Sequence, residues 1–287
     1  MRQARRILRF PTSFLAPAVA VLAAIVIFPT LYLLYLSTRH WVIVRPNQYF
    51  VGLENFRTVL SASAFWNAAG VTATFVVATC LASLVVGLGL ALALNRDFRG
   101  QGLVRALVVL PLLVPPIVAG FTWKFLLNRE IGVLGSWVLP AIGLDASMLA
   151  DPRLALVSIV IADVWSRSSF MFLILLAALQ GVPSSLYEAS RIDGANGLQE
   201  FLHITLPLIV PAIVIGLIFR AVEAVNTFDL IFVMTQGGPG TATQALSIYG
   251  WRVAFTSFDI GRGAAVAVVM ILLALVATTL LTRRILR

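Results

Sequence analysis

The stretch Gln180–Pro207, QGVPSSLYEASRIDGANGLQEFLHITLP, decides how the rest of the chain is read. It is the longest polar interruption between two strongly apolar segments on the side that the arginine placement below assigns to the cytoplasm. Its pattern predicts two short amphipathic helices joined by a turn. Ser184 and Ser185 offer N-caps, since a hydroxyl there can accept from an orphaned backbone N–H of the first turn. Tyr187, Ala189 and Ile192 recur at helical spacing and form one stripe. Gly194 breaks the first helix, and Leu198, Phe201 and Leu202 carry the second up to Pro207. A helical hairpin with one apolar side, hung between membrane spans, is a handle for another protein.

The composition supplies the membrane. Of 287 residues, 60% are hydrophobic and 11% charged, with mean hydropathy +0.98. Soluble domains carry about 25% charged residues. The net charge of +9 is almost wholly arginine, Lys124 being the only lysine. On a soluble chain that charge would suggest nucleic acid. Here the arginines sit at the ends of apolar runs, where they act as topology signals. Cys80, the sole cysteine, lies inside an apolar run, which leaves no intrachain disulfide. The start, MRQARRILRF, precedes a 23-residue apolar run that is too long for a signal core, and it reads as a retained anchor.

A crossing needs about 20 apolar residues. Six segments qualify: Phe14–Leu36, Ala68–Leu94, Val104–Leu127, Leu154–Leu179, Pro207–Met234 and Ala264–Leu281. The expectation is therefore an all-α polytopic bundle, one transmembrane domain over residues 1–287, with the hairpin between spans four and five. Placing both termini inside puts eleven arginines on the cytoplasmic side (2, 5, 6, 9, 96, 99, 105, 191, 283, 284 and 287). Seven then face outside, at 39, 45, 57, 129, 153, 252 and 262. Positive residues favour the cytoplasm, so this orientation is the one expected.

Local chemistry marks several segments. Pro111 and Pro115, with Pro116 beside them, predict a kink in the third span. Gly87, Gly89, Thr72, Thr74, Thr79 and Ser83 give the second span a small, hydroxylated face for close helix contact. Outside, FVGLENF (Phe50–Phe56) leads into a short apolar piece ending at Trp66, and TQGGPGTAT (Thr235–Thr243) dictates a turn. Leu246–Phe258 reads as a short interfacial helix with Tyr249, Trp251 and Phe255 at headgroup depth.

Catalytic chemistry is missing. There is no G-x-x-x-x-G-K-[S/T] loop, so the chain does not bind ATP in that manner. His40 and His203 lack the neighbours a metal or nucleophile would need. The chain does not read as an enzyme and needs no cofactor of its own.

Charges within spans are costly and mark either pairs or a pathway. ADVWSRSSF sets Asp163 and Arg167 one turn apart in span four, and FRAVEAVNTFD sets Arg220 and Glu223 at i,i+3 in span five. Arg220 lies roughly 20 Å along the helix from Pro207, slightly past the midplane of a ~30 Å core. Two readings stay open. The four charges lock the bundle as ion pairs, or they line a polar cavity with Ser166, Ser168, Phe170, Ala224, Asn226 and Thr227, flanked by Trp165. The second reading makes Asp163, Arg167, Phe170, Arg220, Glu223, Ala224, Asn226 and Thr227 the candidate solute path.

The hairpin also resembles the EAA loop of ABC importer permeases, EAA-x3-G-x9-I-x-L-P. Glu188-Ala189-Ser190, Gly194 and Ile204-Thr205-Leu206-Pro207 keep that spacing, with Ser190 at the second alanine. FVGLENF, IDGANG, ITLPLIVP, MTQGGPGTAT and AFTSFDIGRGAA resemble the carbohydrate-uptake branch, in particular its maltose-type first permease subunit. The resemblance implies a subunit of a binding-protein-dependent sugar importer in a prokaryotic inner membrane. Its partners would be a second permease (forming a heterodimer), two copies of an ATPase holding ATP and magnesium, and an extracytoplasmic solute-binding protein. Glu188 would then contact the ATPase, Ala189 and Ser190 would permit close approach, and Gly194 would allow the turn. Ile204, Leu206 and Pro207 would anchor the return into span five. The implied solute is a neutral di- or oligosaccharide or a polyol. An anionic solute such as glycerol phosphate is the alternative if Asp163 and Glu223 leave Arg167 and Arg220 free. An ion-driven secondary transporter, with Asp163, Arg167 and Glu223 as a relay, is the rival from another class, and a purely structural scaffold subunit is a further one.

Overall fold

The computed structural model describes residues 12–44, 47–144 and 147–283. Arg2, Arg5, Arg6, Arg9, Arg45, Arg284 and Arg287, on which much of the topology expectation rests, lie outside them. The fold is an all-α membrane bundle. Five helices are long and apolar enough to cross a membrane: Leu15–Ser37, Ser63–Leu94, Pro152–Gln180, Gly197–Val225 and Ile260–Thr279. A bent pair, Gln101–Leu113 and Pro116–Leu126, makes a sixth if counted as one span.

Two spans differ from their sequence-based outlines. The third was expected to kink and to remain one crossing over Val104–Leu127. Instead its two halves meet at 96°. A residue before proline is pushed out of the helical region, and consecutive Pro115 and Pro116 impose this twice. Val114 and Pro115 are accordingly extended, with ψ of 121° and 140°. The fifth was expected over Pro207–Met234. It starts ten residues earlier, at Gly197, and stops at Val225. Pro207 has no N–H to give the preceding turn, and the helix absorbs this by widening into a π turn at Phe201–Thr205. At the other end Asn226 and Thr227 bond back to the carbonyls of Val222 (2.8 Å) and Glu223 (3.2 Å), satisfying groups that a helix end leaves open. A short helix, Asp229–Thr235, follows the break.

The chain forms two compact units. One comprises the described residues up to Ser61 with Gly250–Val269. Here the first span runs into a small antiparallel ribbon, Arg39 opposite Phe50 and His40 opposite Tyr49. Asn55, buried at the start of helix Glu54–Ser61, donates to the carbonyls of Ser37 (2.9 Å) and Arg39 (2.7 Å) and so fixes the turn out of the membrane.

The other unit comprises Ala62–Tyr249 and the described residues from Met270 on. Span four is its centre. The helix starts sharply because Asp151 accepts from the N–H groups of Arg153 and Leu154 and Pro152 occupies the first turn. One apolar cluster gathers Phe75, Ile159, Ala162, Ala224 and Met234, and another gathers Ala91, Met171, Phe172, Leu175 and Ile209. Of the small residues in span two, Gly87 permits the contact with span four, since a Cβ there would lie 2.6 Å from Met171 Cβ and 3.0 Å from Phe172 N. Thr72 accepts from Leu246 N–H (2.8 Å), whereas Thr74 and Thr79 bond only to carbonyls of their own helix. Leu246 and Ile248 are buried, and Tyr249 sits edge-on to Phe65 at 6.3 Å, so this segment has an inward face that the interfacial reading did not foresee.

Overpacking a tight contact costs about 1–3 kcal/mol. Gly87→Val is expected to lower the thermal unfolding temperature in detergent. Gly89→Val, with nothing within 4 Å of its added Cβ, is expected to leave it unchanged.

Candidate functional site

The hairpin has the predicted two-helix form with different fastenings. Its first helix runs Ser184–Ile192 behind Pro183, with no side-chain cap, so Ser184 and Ser185 do not serve as the caps expected of them. Gly194 takes φ +80°, a left-handed conformation that glycine adopts without strain, and Ala195 N–H then reaches back to Ser190 O at 2.9 Å. The second helix opens with a reciprocal cap. Asn196 accepts from Gln199 N–H, and the Gln199 side chain accepts from Asn196 N–H, at 3.0 and 2.8 Å. The N-x-x-Q spacing is a legible signal for this box, and it was missed.

Three side-chain contacts hold the helices together. Ser190 is buried and donates to Glu200 Oε1 at 3.2 Å, and the same oxygen lies 3.4 Å from Arg191 Nε. Tyr187 Oη and Thr205 Oγ1 are 2.9 Å apart. The expected stripe therefore splits, with Tyr187 turned inward while Ile192 is 87% exposed. Glu188 and Ala189 are exposed, Ile204 and Leu206 half-buried and Pro207 exposed. Exposed Leu198 and Leu202 complete an apolar edge on the hairpin.

At mid-span the four charges form an alternating chain. Arg220 is fully buried and donates to Asp163 Oδ2 at 2.5 Å and to Glu223 Oε2 at 2.8 Å. Arg167 donates to the other Glu223 oxygen at 2.8 Å. The two contacts across the helix pair, Arg220–Asp163 and Arg167–Glu223, join spans four and five. The inner pair is dry, and the outer one keeps contact with solvent at 22% and 38% side-chain exposure.

The outer pair faces two cavities. One, of about 220 Å³, is lined by Asp163, Ser166, Arg167, Glu223, Asn226, Thr227 and the two helix breaks at Pro116 and Phe228–Asp229. The other, of about 340 Å³, is lined by Leu112, Arg167, Phe170, Phe219, Val222, Glu223 and Asn226. Of the sequence-predicted path, the structure thus brings together Asp163, Arg167, Phe170, Glu223, Asn226 and Thr227, with Arg220 behind them. Ala224 does not join them, because it points into the apolar core with Phe75 and Ala119. Trp165 meets Trp123 edge-on at 6.1 Å, and neither it nor the buried Ser168 lines these two cavities. Phe219 and Asp229 were missed as wall residues. Phe219 precedes Glu223 by one turn, a spacing that puts both on one helix face.

Residues 83–286, which include the hairpin and all four charges, match the family described as "Binding-protein-dependent transport system inner membrane component". The chain belongs to this family. It is a multi-pass permease component of such a system, not a catalytic subunit. It is 38% identical over 260 residues to the trehalose/maltose transport system permease protein MalF of Thermococcus litoralis, covering 90% of this chain and 88% of the relative. Against the sn-glycerol-3-phosphate transport system permease protein UgpA of Agrobacterium fabrum it is 35% identical over 269 residues, covering 93% and 92%. Among solved structures, a bacterial alginate ABC transporter in complex with an alginate pentasaccharide-bound periplasmic protein matches with TM-score 0.82 and 23% identity, covering 96% of this chain and 94% of that one. At that identity the likeness shows the fold.

Removing one member of a buried ion pair strands the other, at about 3–5 kcal/mol. Arg220→Ala in the permease is therefore expected to cut the yield of folded protein and its melting temperature sharply. Asp163→Asn combined with Arg220→Gln should restore most of the loss. Arg167→Gln, at the wetter pair, should melt close to wild type.

Proposed function

We propose that the permease forms half of the solute path of an ATP-driven sugar importer and receives its driving motion through Gln180–Pro207. The observation that carries this reading is one continuous helix. Gly197–Val225 begins inside the hairpin and ends beside Arg220 and Glu223. A force applied at the hairpin reaches the charged cavity without crossing a loop. Glu188 and Ala189 are available to an ATPase surface, with the exposed apolar edge beside them. Gly194 supplies the turn, and Ile204, Leu206 and Pro207 seat the return. Ser190 serves closure of the hairpin as well as close approach.

The remaining parts of the assembly are a second permease forming a heterodimer, two ATPase copies holding ATP and magnesium, and an extracytoplasmic binding protein. Both termini are assigned to the cytoplasm, within a single permease domain. ATP binds the two conformations of the ATPase unequally, and that difference supplies the shift between outward and inward states. For the solute, a neutral di- or oligosaccharide or polyol fits the charge balance. Arg167 and Arg220 are already matched by Asp163 and Glu223, and Asp229 adds a further carboxylate to the wall. An anionic solute would meet no unpaired cation there. The ion-driven reading loses its support once the family is a binding-protein-dependent one.

Uptake assays in cells carrying the complete system test this. Glu188→Lys and Gly194→Pro should reach the membrane yet lose most uptake, with the ATPase no longer stimulated by loaded binding protein. Normal uptake in both overturns the coupling role. Collapsing the proton gradient while ATP is maintained should leave wild-type uptake intact.

A further inference from the structure

Phe28, Tyr32 and Tyr35 form a row along the first span, with ring centres 6.1 and 6.2 Å apart. The row continues beyond the helix. The Arg39 guanidinium carbon lies 4.7 Å from the Tyr35 ring centre and 5.9 Å from that of Phe50 on the facing strand. All four rings are exposed, between 46% and 68%, and Leu53, three residues beyond Phe50, is 73% exposed. Among the described residues nothing accepts a hydrogen bond from the Arg39 guanidinium, and its Nε–H is shielded from solvent without a partner.

The position of this cation is set by the span. Leu15–Ser37 has 23 residues, about 34 Å of helix, against a hydrocarbon core of ~30 Å. Arg39, just past its end, therefore stands at headgroup level. Rings on the guanidinium faces leave its edge for acceptors, and a guanidinium edge suits paired phosphate oxygens. The apolar strip beside it is continuous with the exposed surface of the first span, and aromatic side chains favour that depth.

We propose that Arg39, held between Tyr35 and Phe50, binds the phosphate of an anionic phospholipid at the membrane surface where the first span ends. The lipid, not free phosphate, is the ligand, because the strip next to the cation takes up the acyl-glycerol region. The site anchors the ribbon Arg39–His40 and Tyr49–Phe50 to the bilayer and stands independently of the solute that is carried.

Native mass spectrometry of the full-length chain in detergent, titrated with short-chain phosphatidylglycerol, tests the site. Wild type should retain one tightly bound lipid, retained about tenfold less well by Arg39→Gln, as expected for loss of a charge-assisted contact. Phe50→Ala, which keeps the charge, should weaken retention less. Phosphatidylcholine should bind wild type more weakly, and millimolar inorganic phosphate should not displace the lipid. Equal retention by wild type and Arg39→Gln overturns the site, and displacement by inorganic phosphate overturns the lipid as its source. If Arg39→Gln does not fold, judged by its circular dichroism melt, Phe50→Ala decides: unchanged retention overturns the proposal.

Discussion

A guanidinium with no solvent exposure, in the middle of a membrane bundle, constrains everything around it. Arg220 cannot shed its charge, so its surroundings must supply counter-charge at hydrogen-bonding distance. Asp163 does this from span four and Glu223 from its own helix, which fixes the rotation of both spans about their axes. Glu223 then carries a second obligation to Arg167. The result is a neutral chain of four side chains, in which the dry end orients the helices and the wet end faces the cavities. Such a network sets the geometry more than it adds to stability, since a buried ion pair gains little over well-packed apolar residues.

Irregular backbone within a membrane is tolerated where it lines a cavity or is covered by protein. Both interruptions in this bundle meet that condition. The break at Val114–Pro115 and the break at Asn226–Phe228 border the same space, with Pro116 and Asp229 on its wall. The prolines and the Asn-Thr pair thus do more than weaken helices. They end two helices at the polar cavity, and at the second break Asn226 and Thr227 satisfy carbonyls left behind.

Much of this was legible in the residues. Composition alone indicates a polytopic bundle, and the spacing from Glu188 to Pro207 indicates the permease family. Gly194 announces the turn that its φ of +80° requires. What could not be read was partnership across elements. Asp163 and Arg167 look like an i,i+4 pair, and Arg220 and Glu223 like an i,i+3 pair. Arg220 and Glu223 do pair at that spacing, but the rotation of two helices decides that Arg220 also reaches Asp163 and that Arg167 reaches Glu223, and linear sequence does not encode that rotation. Ala224 stands apart for a related reason: the next residue after Glu223 is turned about 100° round the helix, and there it packs into the apolar core. The fifth span was misjudged because a proline ordinarily starts a helix, whereas a π turn lets this one sit inside it.

The continuous helix Gly197–Val225 has a mechanical consequence. From its start to Glu223 the arm measures about 39 Å at 1.5 Å per residue. Pivoting that arm by about 5° at the hairpin end sweeps Glu223 sideways by roughly 3 Å, since displacement grows with arm length. That travel is comparable to the 2.8 Å that separates Glu223 from Arg167. A small rotation at the polar end is therefore large enough to part the outer ion pair, and because Ala224 travels with Glu223 it also shifts a member of the apolar cluster around Phe75, so the bundle magnifies motion from its polar end towards its centre.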